Sequence, residues 1–411
     1  MTTPTDEQID NDVGAVKIRG RLDYIDILRA VAVLSVVSVH VWGYWLNSPI
    51  QSAHGVSARA FLFRWASLGS WGVDLFIVIS GFCLAHPLFK STDRATPPRD
   101  LRIGKFYTRR AWRILPAYYV AVVLFFLIEL IPKVQPYLVA RPVNGWDLTT
   151  HLLLIQTWFA STIGAINGPF WSIALEAQLY LVFPLLLLLI RKWGFTRAIG
   201  ITVAVALTWF ALSAVWGHTS MSHTFGSDLS KELPARWFEF ALGVGAARLV
   251  TAPRRSDLRL GIASMVVGLP VALVGESLNS AMFRAFGYGV LAFGLVVTCA
   301  FLPHRVISGN AVGRTIQKLG VISFSFYLIH QPALLLMSPL VHRLHVGPVA
   351  ELLLGMTVGV AVITMAAWVY FRCVEKPFLI RGGMRDAIVD PAPSWRADLS
   401  PDPQPGRPTT A

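Results

Sequence analysis

The feature that most constrains this chain is a series of ten apolar stretches, each close to the roughly 20 residues that an α-helix needs to cross a bilayer. They lie near residues 26–46, 71–89, 113–132, 171–190, 197–216, 236–250, 260–275, 284–302, 320–340 and 350–371. Only 14% of the 411 residues are charged and 54% are hydrophobic, which is too little charge to cover one soluble core. The pattern predicts an all-α, polytopic membrane helical bundle of about ten transmembrane helices.

The basic residues lie in short clusters between these stretches. With the N-terminus inside, the inside segments hold 27 of the 36 Lys and Arg residues and the outside segments hold 8. Cytoplasmic loops of membrane proteins carry an excess of Lys and Arg. The distribution predicts a multi-pass protein of the cell (plasma or inner) membrane with both termini inside. It also accounts for the net charge of +13 without a nucleic-acid partner.

Composition divides the chain into three parts. Residues 1–20 and the proline-rich residues 386–411 predict disordered cytosolic termini, and residues 21–385 predict the transmembrane domain. The longest outside loop, 133–170, reads as an ordered lid or as a re-entrant or interfacial segment. The three cysteines have no paired spacing, so we expect neither a disulfide framework nor a metal site.

The first apolar stretch carries two ionisable residues, Arg29 and His40. Eleven residues at 100° each bring them to the same helix face, with a rise of roughly 16 Å between them. Arg29 is either functional or a snorkelling side chain paired with Asp26. An imidazole inside a span favours a functional role for His40 over a structural one.

Three further polar residues fall near the depth of His40 when the predicted topology is applied: Asp74, Glu176 and His330. Ionisable groups inside spans are expensive and usually functional, which favours a functional role for Glu176 and His330. Hydrogen bonds that hold helices together are the alternative. That alternative explains three other residues at least as well as a functional role does: Tyr180, Tyr327 and Gln331.

The inside loop 90–113 contains Lys105, Arg109, Arg110 and Arg113 on a near-helical approach to the membrane. Positive-inside topology and anionic lipid headgroups are one explanation. A site for a phosphorylated cytosolic ligand is the other, because guanidinium groups match phosphate oxygens. Charge alone does not choose between them.

Several ordered motifs resemble the acyltransferase-3 family of integral-membrane O-acyltransferases. Arg29 and His40 match its Arg/Lys-x10-His pattern. The remaining matches are Gly72-Val-Asp-Leu-Phe76 with Ile79-Ser-Gly-Phe82, Arg109-Arg-Ala-Trp-Arg-Ile-Leu-Pro116, Trp171-Ser-Ile-Ala-Leu-Glu176 through Tyr180, Arg236 to Gly243, Ile322-Ser-Phe-Ser-Phe-Tyr-Leu-Ile-His-Gln-Pro332 and Val374-Glu-Lys-Pro377. One departure is Ala177, where the family often has a second acidic residue, so the acidic role is placed on Glu176.

The resemblance implies transfer of an acyl group, acetyl or another short one, from cytosolic acyl-CoA to a hydroxyl of a sugar in a surface glycan or secreted glycoside. It implies no permanently bound cofactor. His40 is then expected to be the general base, with Glu176 or Asp74 fixing its tautomer. His330 would orient the acceptor or donate to the oxyanion.

The expected binding residues form two sets. Arg29, Arg110 and Arg113 would hold the CoA phosphates at the inner mouth, and Tyr180, Tyr327 and Gln331 would contact the acceptor. A covalent relay through Ser80 or Ser325 stays open. Two other functions also remain: a tailoring acyltransferase of a macrolide-type sugar, and a proton-coupled transporter or flippase of a glycan or lipid intermediate.

Overall fold

The computed structural model describes residues 22–43, 68–89, 94, 96–139, 141–216, 229–302 and 310–383. Within those ranges every regular element is a helix and no strand occurs. The α-helices are α1 (Asp23–Val41), α2 (Trp71–Ala85), α3 (Ile103–Glu129), α4 (Gln135–Leu138), α5 (Gly145–Leu152), α6 (Phe170–Trp193), α7 (Phe195–Trp216), α8 (Leu233–Thr251), α9 (Arg255–Ser277), α10 (Ala281–Cys299), α11 (Ala311–Val321), α12 (Ser323–Arg343), α13 (Pro348–Leu354), α14 (Val360–Tyr370) and α15 (Lys376–Arg381).

The prediction of an all-α, polytopic membrane bundle is confirmed. Nine helical segments of the described ranges are long and apolar enough to cross a membrane. The last of them is the longest, Val349–Arg381, in which α13, α14 and α15 are joined through two π-helical turns. The N-in, C-in orientation stays a prediction, and the termini 1–20 and 386–411 lie outside the described residues.

Helix α8, the predicted sixth span, is not one of the nine because it carries Arg236, Glu239 and Arg248. It is nevertheless a helix of 19 residues, about 28 Å long by helical rise. It packs against α2, α7 and α10 and buries most of its residues. Charged side chains inside a membrane protein face other helices rather than lipid, which explains why this helix needs less apolar surface.

Several helix boundaries differ from the approximate sequence prediction. Helix α3 begins at Ile103, ten residues before the apolar stretch, because the arginine-rich approach is continuous with the span. The span predicted from about 320 begins at Ser323, because residues 311–321 form the separate helix α11.

Close packing of α2 on α8 depends on glycine. A Cβ atom on Gly81 would lie 2.1 Å from the Phe240 carbonyl oxygen, and one on Gly243 would lie 2.0 Å from the Val78 carbonyl oxygen. Small residues let membrane helices approach backbone to backbone. Helix α2 is thereby held at the centre of the bundle, with α1 on another side.

Candidate active site

A cavity with about 920 Å³ of atom-free volume, including the part open to solvent, lies among α1, α2, α3, α6 and α12. Most of its wall is apolar. Four charged side chains line it: Arg29, Arg110, Arg113 and Glu176. Three positive charges against one negative charge make the wall cationic, so the cavity fits an anionic ligand with an apolar part.

The three arginines predicted to hold phosphates meet in this cavity. Arg113 lies close enough to Arg29 and to Arg110 for its guanidinium to be repelled by both. The Arg29 guanidinium donates to Asp26 at 3.0 Å and to the Cys83 sulfur at 3.4 Å. The Asp26 pair expected under the snorkelling alternative is therefore present, and it coexists with a position in the cavity wall.

Helix α3 separates its basic residues by face. Arg110 and Arg113 line the cavity, whereas Arg109 does not, and Trp112 is exposed. Among the described residues, Arg113 has no hydrogen bond or ion pair. The buried Glu375 carboxylate lies within electrostatic range of this half-buried guanidinium, and its hydrogen-bond donors are available for a ligand's acidic oxygens.

Glu176 lies on the cavity wall one helical turn from Tyr180. Its Oε1 atom accepts hydrogen bonds from the Ser80 hydroxyl at 2.8 Å and from the Tyr180 hydroxyl. Tyr180 also lies within electrostatic range of Arg110. The predicted acceptor residue Tyr180 therefore stands between the arginines and Glu176, on the same wall as both.

Tyr327 marks another part of the cavity wall. Its hydroxyl accepts from Ser172 at 2.7 Å and donates to the Pro169 carbonyl oxygen at 3.1 Å. Its ring contacts Phe76 edge-on, with the centroids 6.0 Å apart. The ring of His330 lies on its other side at 5.2 Å between centroids.

His40 and His330 form a pair, of which His330 lies next to Tyr327. Their ring centroids are 4.9 Å apart, at an interplanar angle of 74°. Nδ1 of His40 lies 2.7 Å from the Val36 carbonyl oxygen, and Nδ1 of His330 lies 2.6 Å from that of Tyr327.

These contacts assign the tautomers. A carbonyl oxygen only accepts, so Nδ1 carries the proton in each ring and Nε2 carries the lone pair. Nε2 of His330 is buried and has no hydrogen-bond partner among the described residues. The pair can accept a proton from a hydroxyl group placed beside it.

Asp74 is not part of this pair. Its carboxylate binds Arg236 Nη1 at 2.5 Å, and the same nitrogen binds Glu239 Oε1 at 2.8 Å. The expectation that Asp74 or Glu176 fixes the tautomer of His40 is therefore corrected, because a backbone carbonyl one turn earlier on α1 does so. A catalytic role for Asp74 stays a prediction, with the observed contact placing it at the α2–α8 interface.

The 133–170 loop is ordered where the structure describes it. Asn144 and Asp147 form a capping box on α5, and Asp147 also binds Arg141 at 2.6 Å. His151 is fully buried, and burial lowers its pKa to about 4. The imidazole of His151 is therefore neutral at physiological pH.

The end of this loop packs against the histidine-bearing helix α12. Asn167 Nδ2 donates to the Leu328 carbonyl oxygen at 2.9 Å. Gly168 lies against the Gln331 side chain, where a Cβ would come within 2.9 Å of its Oε1. Gln331 thus contacts the loop and does not line the cavity. The lid and the re-entrant or interfacial interpretations of this loop both stay predictions.

Several cavity residues were not assigned roles from the sequence: Phe76, Cys83, Ser172 and Phe324. Phe76, Ser172 and Phe324 lie within motifs that the resemblance covers, which was the available signal. Cys83 carries no such signal, because apolar or weakly polar residues inside spans look alike whether they face lipid, protein or a cavity.

Comparisons with known proteins identify the family. The acyltransferase-3 family model, described as an acyltransferase domain, matches residues 22–370. The peptidoglycan O-acetyltransferase OatA of Listeria monocytogenes is 26% identical over 380 residues, covering 87% of this chain and 56% of OatA. The chain thus spans little more than half the length of OatA.

Two shorter relatives are covered more completely. The acyltransferase MdmB of Streptomyces mycarofaciens is 28% identical over 329 residues, covering 75% of this chain and 78% of MdmB. Nodulation protein 10 of Rhizobium leguminosarum is 25% identical over 342 residues, covering 76% of this chain and 84% of that protein. No solved structure gives a significant match. The family match covers the helices that build the cavity and both histidines, and the chain belongs to the acyltransferase-3 family.

Proposed function

We propose that the protein is an O-acyltransferase of the cell membrane. It transfers a short acyl group from cytosolic acyl-CoA to a hydroxyl of a sugar in a surface glycan or secreted glycoside. The observation that carries the proposal is one cavity with three arginines in its wall and the His40–His330 pair, of which His330 lies next to Tyr327.

The donor is proposed from charge and reach. CoA combines several phosphate charges with an extended, largely uncharged pantetheine arm. Arg29, Arg110 and Arg113 offer the charge-assisted hydrogen bonds that phosphate oxygens accept. The rise of roughly 16 Å from Arg29 to His40 is comparable to the length of that arm, so the thioester reaches the histidines while the phosphates stay at the arginines.

The transfer step follows from the imidazole tautomers. Nε2 of His40 accepts the proton of the sugar hydroxyl while the hydroxyl oxygen attacks the thioester carbonyl carbon. The carbon–sulfur bond of the resulting tetrahedral intermediate breaks, and CoA leaves as the thiolate. The proton then passes from the imidazolium to the thiolate, which gives the O-acyl sugar and free CoA. His330 hydrogen-bonds the acceptor hydroxyl or the developing oxyanion.

Two acceptor classes remain proposed. OatA is named as a peptidoglycan O-acetyltransferase, which favours a cell-surface glycan. MdmB is named as an acyltransferase without an acceptor, so a sugar on a smaller, macrolide-type secreted compound stays the alternative that the sequence left open. Both acceptors are sugar hydroxyls, so the same step serves either.

Purified protein in lipid nanodiscs should be incubated with radiolabelled acetyl-CoA and a panel of sugar acceptors, with His40→Ala as the matched control. We expect acceptor-dependent label transfer and CoA release by the wild type, both lost in the control. Label transfer to a glycan oligomer alone would assign the first acceptor class, and transfer to a glycosylated macrolide alone the second. Absence of thioester turnover, together with acceptor movement across proteoliposome membranes, would contradict the proposal in favour of a transporter.

A further inference from the structure

The contact between Phe76 and Tyr327 narrows the cavity near His330. Both aromatic residues line the cavity, while neither His40 nor His330 does. The two rings meet edge-on at 77° with centroids 6.0 Å apart, which is van der Waals contact for aromatic side chains. A chain bound along this part of the wall therefore meets the two rings.

The two aromatic side chains are held differently. The Tyr327 hydroxyl is fixed between Ser172 and the Pro169 carbonyl oxygen, so its ring has one position. Phe76 is half-buried and has no polar group to anchor it. Of the two rings, Phe76 is therefore the one whose size can change without breaking a hydrogen bond.

The wall beside this contact is apolar. Val73 lies about one turn before Phe76 on α2, and Ile77 follows Phe76 directly. Ile173 of α6 and Phe324 of α12 line the same cavity. Glu176 borders this segment, since it lies within electrostatic range of Tyr327 and accepts from Ser80, one turn from Phe76. The apolar side chains around Phe76 form a narrow segment that fits a short alkyl chain.

We propose that this segment is the acyl-chain subsite and that Phe76 sets the longest acyl group the enzyme accepts. The inference rests on the proposed function, because it concerns the donor of that reaction. With CoA phosphates at the arginines and the thioester near Tyr327, the acyl carbons beyond the carbonyl lie against Phe76. Each added methylene then collides with the ring, and acetyl and propionyl groups are favoured over longer ones.

The test compares two donors on one enzyme. For the wild type, Phe76→Ala and Phe76→Trp, kcat/KM is measured with acetyl-CoA and with butyryl-CoA, using the same acceptor. Phe82→Ala is the matched control, since Phe82 lies on the same helix but packs against Tyr24 and His86 outside the cavity. A ratio of donors is insensitive to the fraction of protein that folds.

We expect Phe76→Ala to raise the butyryl-to-acetyl ratio by about tenfold or more, the usual discrimination for methylene-sized space in an apolar pocket. Phe76→Trp should lower the ratio, and Phe82→Ala should leave it unchanged. An unchanged ratio in both Phe76 variants of an active enzyme would overturn the inference alone. A wild type that turns over neither donor would overturn the proposed function and this inference with it.

Discussion

Replacing Arg113 with alanine should weaken acyl-CoA binding without stopping the chemical step. Arg113 lines the cavity, lies near Arg29 and Arg110, and has no hydrogen bond or ion pair among the described residues. Its donors are therefore not hydrogen-bonded within the described protein, and its charge attracts the buried Glu375 carboxylate. The substitution removes a ligand contact together with that attraction, so the melting temperature of the variant is measured beside its KM.

The magnitude follows from the contact that is lost. A hydrogen bond to a charged group contributes about 1.5–3 kcal/mol, and about 1.4 kcal/mol corresponds to a tenfold change in an equilibrium constant. Arg113→Ala should thus raise the KM for acyl-CoA by about 10- to 150-fold, with a much smaller change in kcat. The KM of Arg113→Lys should lie between those of the wild type and Arg113→Ala, because lysine keeps the charge but lacks the planar guanidinium.

The assay is CoA release against acyl-CoA concentration, at low and at high salt. Arg109→Ala is the matched control on the same helix, since Arg109 does not line the cavity; its KM should stay within about threefold of the wild type. Added salt should raise the KM of the wild type more than that of Arg113→Ala. Equal KM values for wild type and Arg113→Ala would refute the reasoning. Positive-inside topology and contact with lipid headgroups would then explain Arg113.

Three further predictions concern chemistry, packing and topology. His40→Ala should retain acyl-CoA binding, measured by isothermal titration, but lose about a hundredfold or more in kcat, because a positioned general base contributes that much. Near-normal turnover would contradict His40 as the general base and make His330 the leading candidate. Gly243→Ala should lower the free energy of unfolding by about 1–3 kcal/mol and the melting temperature with it. Gly245→Ala is the control and should be near neutral, because its Cβ would lie 3.4 Å from the nearest atom. Equal melting temperatures for the two variants would contradict the close contact. Reporter fusions should place the 133–170 loop outside and the 90–113 loop inside, and the same side for both would refute the orientation.

Hydropathy and helical period were sufficient to predict most of the fold. Apolar length identified the spanning helices, and the eleven-residue spacing placed Arg29 and His40 on one face of α1. Helix α8 was predicted as a span, although its charges are tolerated only because neighbouring helices bury them. That distinction depends on packing, which a one-dimensional hydropathy profile does not contain.

The site was only partly predictable for the same reason. The type of residue identified His40, Glu176 and His330 as candidates, since an ionisable group inside a span is costly. Their partners come from distant parts of the chain: Ser80 binds Glu176 across 96 residues. Asp74 shows the limit, because its depth matched that of His40 while its side chain points to Arg236. Depth can be read from the sequence, but direction depends on how the helices rotate against one another.

Cys83 allows the most direct measurement of the central claim, that acyl-CoA occupies the cavity among the arginines. Its sulfur lies 3.4 Å from Arg29 Nη2, and its side chain lines the cavity. Cys373 is exposed and does not line the cavity, which makes it an internal control in the same molecule. The measurement is the rate at which a small thiol reagent modifies each cysteine, followed by mass spectrometry of the intact wild type with and without acetyl-CoA. We predict that saturating acetyl-CoA slows modification of Cys83 by about tenfold or more, which corresponds to at least about 90% occupancy, and leaves Cys373 unchanged. Equal modification rates at Cys83 with and without acetyl-CoA would contradict the claim.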